Sequence, residues 1–176
     1  MVREMDLDAL ILEFRSPLTG LLSSWGAAPR DAIELAQDTF AEAYLSRERF
    51  AGDWADQGAV GGWLCGIAQN LFHASRRKAT GGGRLVSLDE AGEPAEGRGD
   101  DSADSEEDKD LLREALAGLK GPWRTVLTMR YAEGSSLATI GALLGMSERA
   151  VEGRLRRARA ALKEQLQKTG TMENRS

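Results

Sequence analysis

With 176 residues and an apolar fraction of 41%, the chain has room for one folded domain or two small ones. One cysteine, Cys65, and one histidine, His73, exclude an internal disulfide framework and a multi-cysteine zinc site. The net charge of −5 divides into −3 over residues 1–78, −8 over 79–110 and +6 over 111–176, so the acidity is concentrated in the middle and the last stretch is basic. No apolar run approaches a membrane span. The opening MVREMDLDALILEF is too acidic for a signal peptide, so no membrane insertion and a cytoplasmic location are expected.

Residues 6–25 repeat apolar side chains at Leu7, Leu10, Ile11, Phe14, Leu18, Leu21, Leu22 and Trp25, which is helical spacing, with Pro17 as an expected kink or break. Gly26 to Pro29 reads as a turn. A second helix is predicted from Arg30 to about Arg47, with Ile33, Ala36, Phe40, Ala43 and Tyr44 on its inner side. Its outer side carries Glu34, Gln37, Asp38 and Glu42. Phe50 to Gly58 is a polar loop that contains Trp54. A third helix is predicted from about Val60 to Arg77, with Trp63, Leu64, Ile67, Ala68, Leu71 and Phe72 inward and the basic run Arg76, Arg77, Lys78 at its end. No strand pattern appears, and the expected fold class is all-α.

Residues 79–110 change character. They are rich in Gly, Asp, Glu and Ser and nearly free of large apolar side chains, which predicts a flexible acidic linker between two small helical domains, 1–78 and 111–168. Only LVSL, residues 85–88, is suited to docking on anything. Order is expected again from about Lys109, where Leu112, Ala115, Leu116 and Leu119 make a short helix. Gly121 breaks it, and Pro122 suits the first position of the next. That helix, PWRTVLTMRYAEG, is expected to bury Val126, Leu127 and Tyr131. The tail, 169–176, is polar and expected to be disordered.

Leu137 to Leu162 reads as a helix-turn-helix. Leu137, Ile140, Leu143 and Leu144 share one face of its first helix. Gly145 suits the left-handed conformation that ends a helix, and Ser147 suits the N-cap of the next. In the second helix Val151, Leu155, Ala158 and Leu162 recur at inward spacing. Arg149, Glu152, Gly153 and Arg156 occupy the opposite face, where a small residue and two arginines suit entry into a DNA major groove. A basic amphipathic helix is more often merely solvated, or docked on a protein. The Gly-Met-Ser turn at this distance favours the DNA reading. Catalysis is not expected. Gly81 to Gly83 lacks the Lys-Ser/Thr of a phosphate loop, and no catalytic or metal cluster can be built around one histidine and one cysteine. No cofactor and no metal are therefore expected.

Three stretches carry a resemblance. ELAQDTFAEAY (34–44), AVGGWLCGIAQNLFHASRRK (59–78) and residues 111–166 look, in that order, like region 2.2, regions 2.3–2.4 and region 4 of the sigma-70 family of bacterial RNA polymerase sigma factors. With two small helical domains, an acidic linker and a C-terminal helix-turn-helix, the chain resembles the extracytoplasmic-function group of that family. The resemblance implies a subunit that binds core polymerase, through the β′ clamp helices and the β flap, and directs initiation at promoter DNA. Glu34, Gln37, Asp38 and Glu42 match the positions that dock on the β′ clamp helices. Trp54, Asn70, Arg76 and Arg77 match the region that captures the −10 element as it melts.

Region 4 would read the −35 element. Arg149, Glu152, Gly153 and Arg156 are the candidates at or near base edges, and Ser147, Arg154, Arg157 and Arg159 the candidates for phosphate. The family often has threonine and lysine where this chain has Ala150 and Glu152. A carboxylate repels phosphate, so Glu152 is expected to accept from a cytosine amine or to orient a neighbouring arginine. An anti-sigma protein is a further partner that the resemblance allows. The competing reading is a helix-turn-helix activator or repressor. Residues 1–78 carry neither the alternating strands of a receiver nor a ligand-pocket signature that such a protein would place in front.

Overall fold

The computed structural model describes residues 4–81 and 106–173, with side chains to residue 170, and among these residues the chain is all-α. Helix α1, Leu7–Ser24, starts at Asp6, whose carboxylate accepts from the Ala9 amide at 3.1 Å. It runs through Pro17 without the expected break, and the proline ring is buried. Helix α2, Pro29–Leu45, starts with proline in its first turn, where the missing amide hydrogen costs nothing. A 3-10 turn, Arg47–Arg49, follows. Along α2 the buried stripe is Ala32, Leu35, Ala36, Thr39, Phe40 and Ala43. The helical period is as expected, but the stripe is turned relative to the predicted one. Ile33 is only half-buried, and Tyr44 is 46% exposed with its ring under the Arg47 guanidinium at 4.4 Å.

Helix α3, Gln57–Ala79, begins earlier than the apolar spacing suggested because Asp56 caps it, accepting from the amides of Gly58 at 2.9 Å and Ala59 at 3.1 Å. Asp56→Ala is expected to lower stability by about 1 kcal/mol, read as a lower urea midpoint at unchanged slope. An unchanged midpoint would show that these bonds contribute nothing net.

Helix α4, Glu106–Ala117, also starts ahead of its expected position, with Glu106, Glu107 and Asp108 on the positive end of its dipole. Helix α5, Gly121–Leu127, leads into a π-helical turn, Thr128–Ala132. Helices α6, Leu137–Leu144, and α7, Glu148–Glu173, complete the fold. Most of the segment expected as a linker, residues 82–105 with LVSL among them, lies outside the described residues. The expected tail begins inside α7, which continues to Glu173, and residues 174–176 lie outside.

Both halves of the chain feed one apolar core. Phe14, Leu18, Leu21 and Leu22 of α1, Phe40 of α2, and Val60 and Leu64 of α3 belong to the same cluster as Val126, Met129, Ile140, Leu143, Val151 and Leu155. The joint is made by α3 against α6, and by α1 against α5, α6 and the π turn. It is close because small residues line it. A Cβ on Gly61 would lie 2.6 Å from the carbonyl carbon and oxygen of Ala142. A Cβ on Gly20 would lie 2.8 Å from Glu133 Cγ and 3.2 Å from Met129 Cα. In the same joint, the buried hydroxyls of Ser24 in α1 and Thr125 in α5 are 3.0 Å apart.

Candidate nucleic-acid interface

The turn between α6 and α7 is fixed by local bonds. Ser136 caps α6, its hydroxyl accepting from the Thr139 amide at 3.0 Å. Gly145 ends it at φ 64°, a left-handed conformation that only glycine adopts without strain, and the Met146 amide donates to the Gly141 carbonyl at 2.8 Å. Ser147 then caps α7, accepting from the Ala150 amide at 3.2 Å. Gly145 and Ser147 therefore do what their residue types implied. Ser147 acts here as acceptor, which leaves its hydroxyl proton free to donate.

Helix α7 turns Val151, Leu155 and Ala158 into the core, with Leu162 half-buried beside them. Arg149, Glu152, Arg156, Arg157 and Arg159 are exposed, and Gly153 and Arg154 are half-buried. A Cβ at Gly153 would meet only the Arg157 guanidinium, at 3.7 and 3.9 Å. No packing demands glycine there. Its effect is to keep the outer face low between Arg149 and Arg156. Among the described residues the ion pairs include Arg30–Glu34, Lys109–Glu106 and Arg113–Asp110, and none of these involves an arginine of α7. Arg124 does not join them. It is buried, its Nη1 lies 3.5 Å from the Ala117 carbonyl at the end of α4, and burial lowers its pKa below the usual arginine value.

The other half presents two surfaces. On α2, Glu34, Gln37, Asp38 and Glu42 all face solvent, and Glu34 accepts from Arg30 Nε at 2.9 Å. An exposed pair of this kind contributes about 0–1 kcal/mol, so a partner cation can displace Arg30 readily. The second surface starts in the loop before α3. Trp54 is half-buried, its ring centroid 4.3 Å from Phe50 and 5.6 Å from Trp63. It is held in an aromatic cluster, and Trp63, expected in the core, is its half-buried wall. Farther along α3, Asn70 and Arg77 are exposed, and Arg76 is half-buried with its guanidinium 5.9 Å from the Phe72 ring. Trp54 is not brought together with these three. Trp54 packs beside Trp63, and from Trp63 the helix rises about 10 Å to Asn70 and about 20 Å to Arg76 and Arg77.

One residue expected in the core belongs to the surface. Tyr131 is 59% exposed, and its hydroxyl accepts from Arg159 Nη1 at 2.7 Å. The α-helical period placed it four residues after buried Leu127. The π turn changes that register, and nothing local in TMRYA announces a π turn. Cys65 is half-buried, and desolvation pushes its thiol up, which favours the unreactive protonated form. No cluster of metal-binding side chains and no helix long and apolar enough to cross a membrane occurs among the described residues.

Residues 109–162 match the family described as sigma-70, region 4. The ECF RNA polymerase sigma factor SigL of Mycobacterium tuberculosis (strain H37Rv) is 32% identical over 139 residues, which cover 79% of this chain and 76% of that protein. The RNA polymerase sigma-H factor of Pseudomonas aeruginosa is 30% identical over 171 residues, covering 91% of this chain and 86% of that one. Two solved structures share the fold. CnrH in complex with the cytosolic domain of CnrY matches with a TM-score of 0.52 at 24% identity, over 92% of this chain and 87% of that one. The sigma factor RpoE in complex with the anti-sigma factor NepR, from Bartonella quintana, matches with a TM-score of 0.50 at 23% identity, over 91% and 95%.

Proposed function

The chain belongs to the extracytoplasmic-function sigma factors of the sigma-70 family, and from that premise we propose that it joins core RNA polymerase and selects promoters by their −35 and −10 elements. The observation that carries the reading is the outer face of α7, where exposed Arg149 and Arg156 flank Gly153 on a helix pinned by the Gly145–Ser147 turn. That face fits a major groove, with Arg149, Glu152, Gly153 and Arg156 toward base edges and Ser147, Arg154, Arg157 and Arg159 toward phosphates.

The α2 face of Glu34, Gln37, Asp38 and Glu42 offers carboxylates and an amide to the basic groups of the β′ clamp helices. The β flap would engage the half that contains α7. Trp54 would meet a base of the opening −10 strand, where stacking contributes about 1–3 kcal/mol. Asn70, about 10 Å along α3 from Trp63, and Arg76 and Arg77, about 20 Å along it, would hold backbone on the same helix. Their separation suits a strand laid along α3 better than a single pocket. The chain would perform no chemistry of its own and act in the cytoplasm, where an anti-sigma protein like the one in the RpoE–NepR complex is a candidate regulator.

The test is transcription in vitro from a pool of genomic promoters with core polymerase and this chain alone. Specific start sites sharing two spaced elements are expected. Transcripts that appear only when another sigma factor is added would instead make the protein an activator.

A further inference from the structure

Tyr131 has no packing reason to stand where it does. The π turn lifts it off the buried face, with the Glu133 amide donating to the Thr128 carbonyl at 3.3 Å and the Ser135 amide to the Met129 carbonyl at 3.0 Å. Arg130 Nη1 closes the loop by donating to the Ser135 carbonyl at 2.8 Å, and Gly134 takes φ 68° to allow it. Met129 stays fully buried while Tyr131, two residues on, is 59% exposed. A π turn inside a helix is an uncommon and locally unfavourable choice that often marks a functional position.

What this turn delivers is a phenol beside Arg159. On α7, Glu152, Arg156, Arg159 and Lys163 follow one another at steps of four, three and four, so they share a flank. Tyr131 borders that flank. Arg159 can only donate, and its Nη1 hydrogen occupies a lone pair of the phenol oxygen at 2.7 Å. The phenol proton is thereby left free to point outward. The remaining guanidinium hydrogens and this proton are donors of one sign on adjacent exposed groups. An anion with several acceptor oxygens satisfies both together, and the repeating anion of a duplex is phosphate.

We propose that Tyr131 and Arg159 act as one unit that grips a DNA phosphate at the edge of the −35 contact. Tyr131 fixes the Arg159 guanidinium and adds a second donor to the same phosphate. This rests on the reading of α7 as the −35 helix. It adds a residue outside the helix-turn-helix and a reason for the π turn that precedes it.

The test uses the full chain bound to core polymerase and a promoter recovered from the transcription experiment, with affinity measured across a salt series. Arg159→Gln is expected to reduce the slope of log affinity against log salt by about 0.9, one phosphate contact, without changing base preference. Tyr131→Phe is expected to weaken binding about 10-fold to 150-fold, the size of one charge-assisted hydrogen bond. The double variant should bind no more weakly than Arg159→Gln alone, because the two side chains serve one phosphate. Replacing backbone phosphates one at a time with methylphosphonate should find a position at which the Tyr131→Phe effect disappears. A purely structural role would instead lower the melting temperature of the free Tyr131→Phe protein and give the same loss at every methylphosphonate position. That result overturns the proposal, as does a Tyr131→Phe holoenzyme that matches wild type at every salt concentration. If wild-type holoenzyme shows no −35 contact at all, the reading of α7 fails first, and this outcome is distinct from both.

Discussion

Gly61→Val is expected to lower stability by about 1–3 kcal/mol and to push α6 away from α3. The reason is geometric. Even a bare Cβ at position 61 falls 2.6 Å from the carbonyl carbon and oxygen of Ala142 and 2.9 Å from its Cβ. Two of those atoms are helix backbone, which no rotamer change can move aside. The valine must therefore displace a whole helix, and α6 carries the buried Ile140 and Leu143 with it. Urea unfolding would read the loss, and small-angle scattering would read an increased radius of gyration. Gly62→Val is the matched control, since a Cβ there meets nothing within 4 Å. Equal behaviour of the two variants would mean that α3 and α6 are not packed as described.

Arg149→Ala and Arg157→Ala are expected to separate sequence reading from attachment. Both side chains are exposed on α7. Arg149 lies in the first turn, where a helix entering a groove is deepest, next to the Ser147 cap. A bidentate arginine–guanine pair discriminates by about 1–3 kcal/mol, so its loss should flatten −35 preference at one position by roughly 5- to 150-fold. Arg157 lies two turns later, against Gly153, and its loss should weaken all promoters alike and reduce the salt slope by about 0.9. Selection from a randomised −35 library would read both variants. Unaltered preference for Arg149→Ala would remove it from the base-reading set.

The parts of the fold that were legible in the sequence are those set by local chemistry. Gly145 and Ser147 specify their turn through a backbone conformation and a cap that need no distant partner. The inward spacing of Val151, Leu155 and Ala158 is legible for the same reason, since each step is one turn of one helix. Tyr131 was not legible. Its period is that of an α-helix, and the π turn that exposes it is settled by bonds to Ser135 and Glu133 across the following loop. Gly20 and Gly61 were not legible either. Within a helix each reads only as a weak helix former, and its use appears when Met129 or Ala142 arrives from more than eighty residues away. The outer residues of α2, and Arg149, Glu152 and Arg156 of α7, were placed correctly by periodicity, whereas Gly153 between them is half-buried. The sequence could not say that Trp54 is clamped by Phe50 and Trp63, or that Glu34 is already paired with Arg30.

The core shared by the two halves also limits the reach of the molecule. A compact body of this many residues has a radius of gyration of about 15 Å, whereas elements 25 base pairs apart on straight duplex lie roughly 85 Å from one another. On the proposed function, the protein packed as described would reach one element or the other. Holding both would require the halves to part, α3 from α6 and α1 from α5, α6 and the π turn, at a cost of about 25 cal/mol for each Å² of apolar surface exposed. The apparent affinity for a full promoter is then the intrinsic affinity scaled by the fraction of molecules already extended. Gly20, Gly61 and the Ser24–Thr125 contact lie in that joint and would set that fraction without touching DNA. A substitution that makes the free protein easier to unfold, as Gly61→Val should, is on these grounds expected to let it engage two-element promoters at lower concentration.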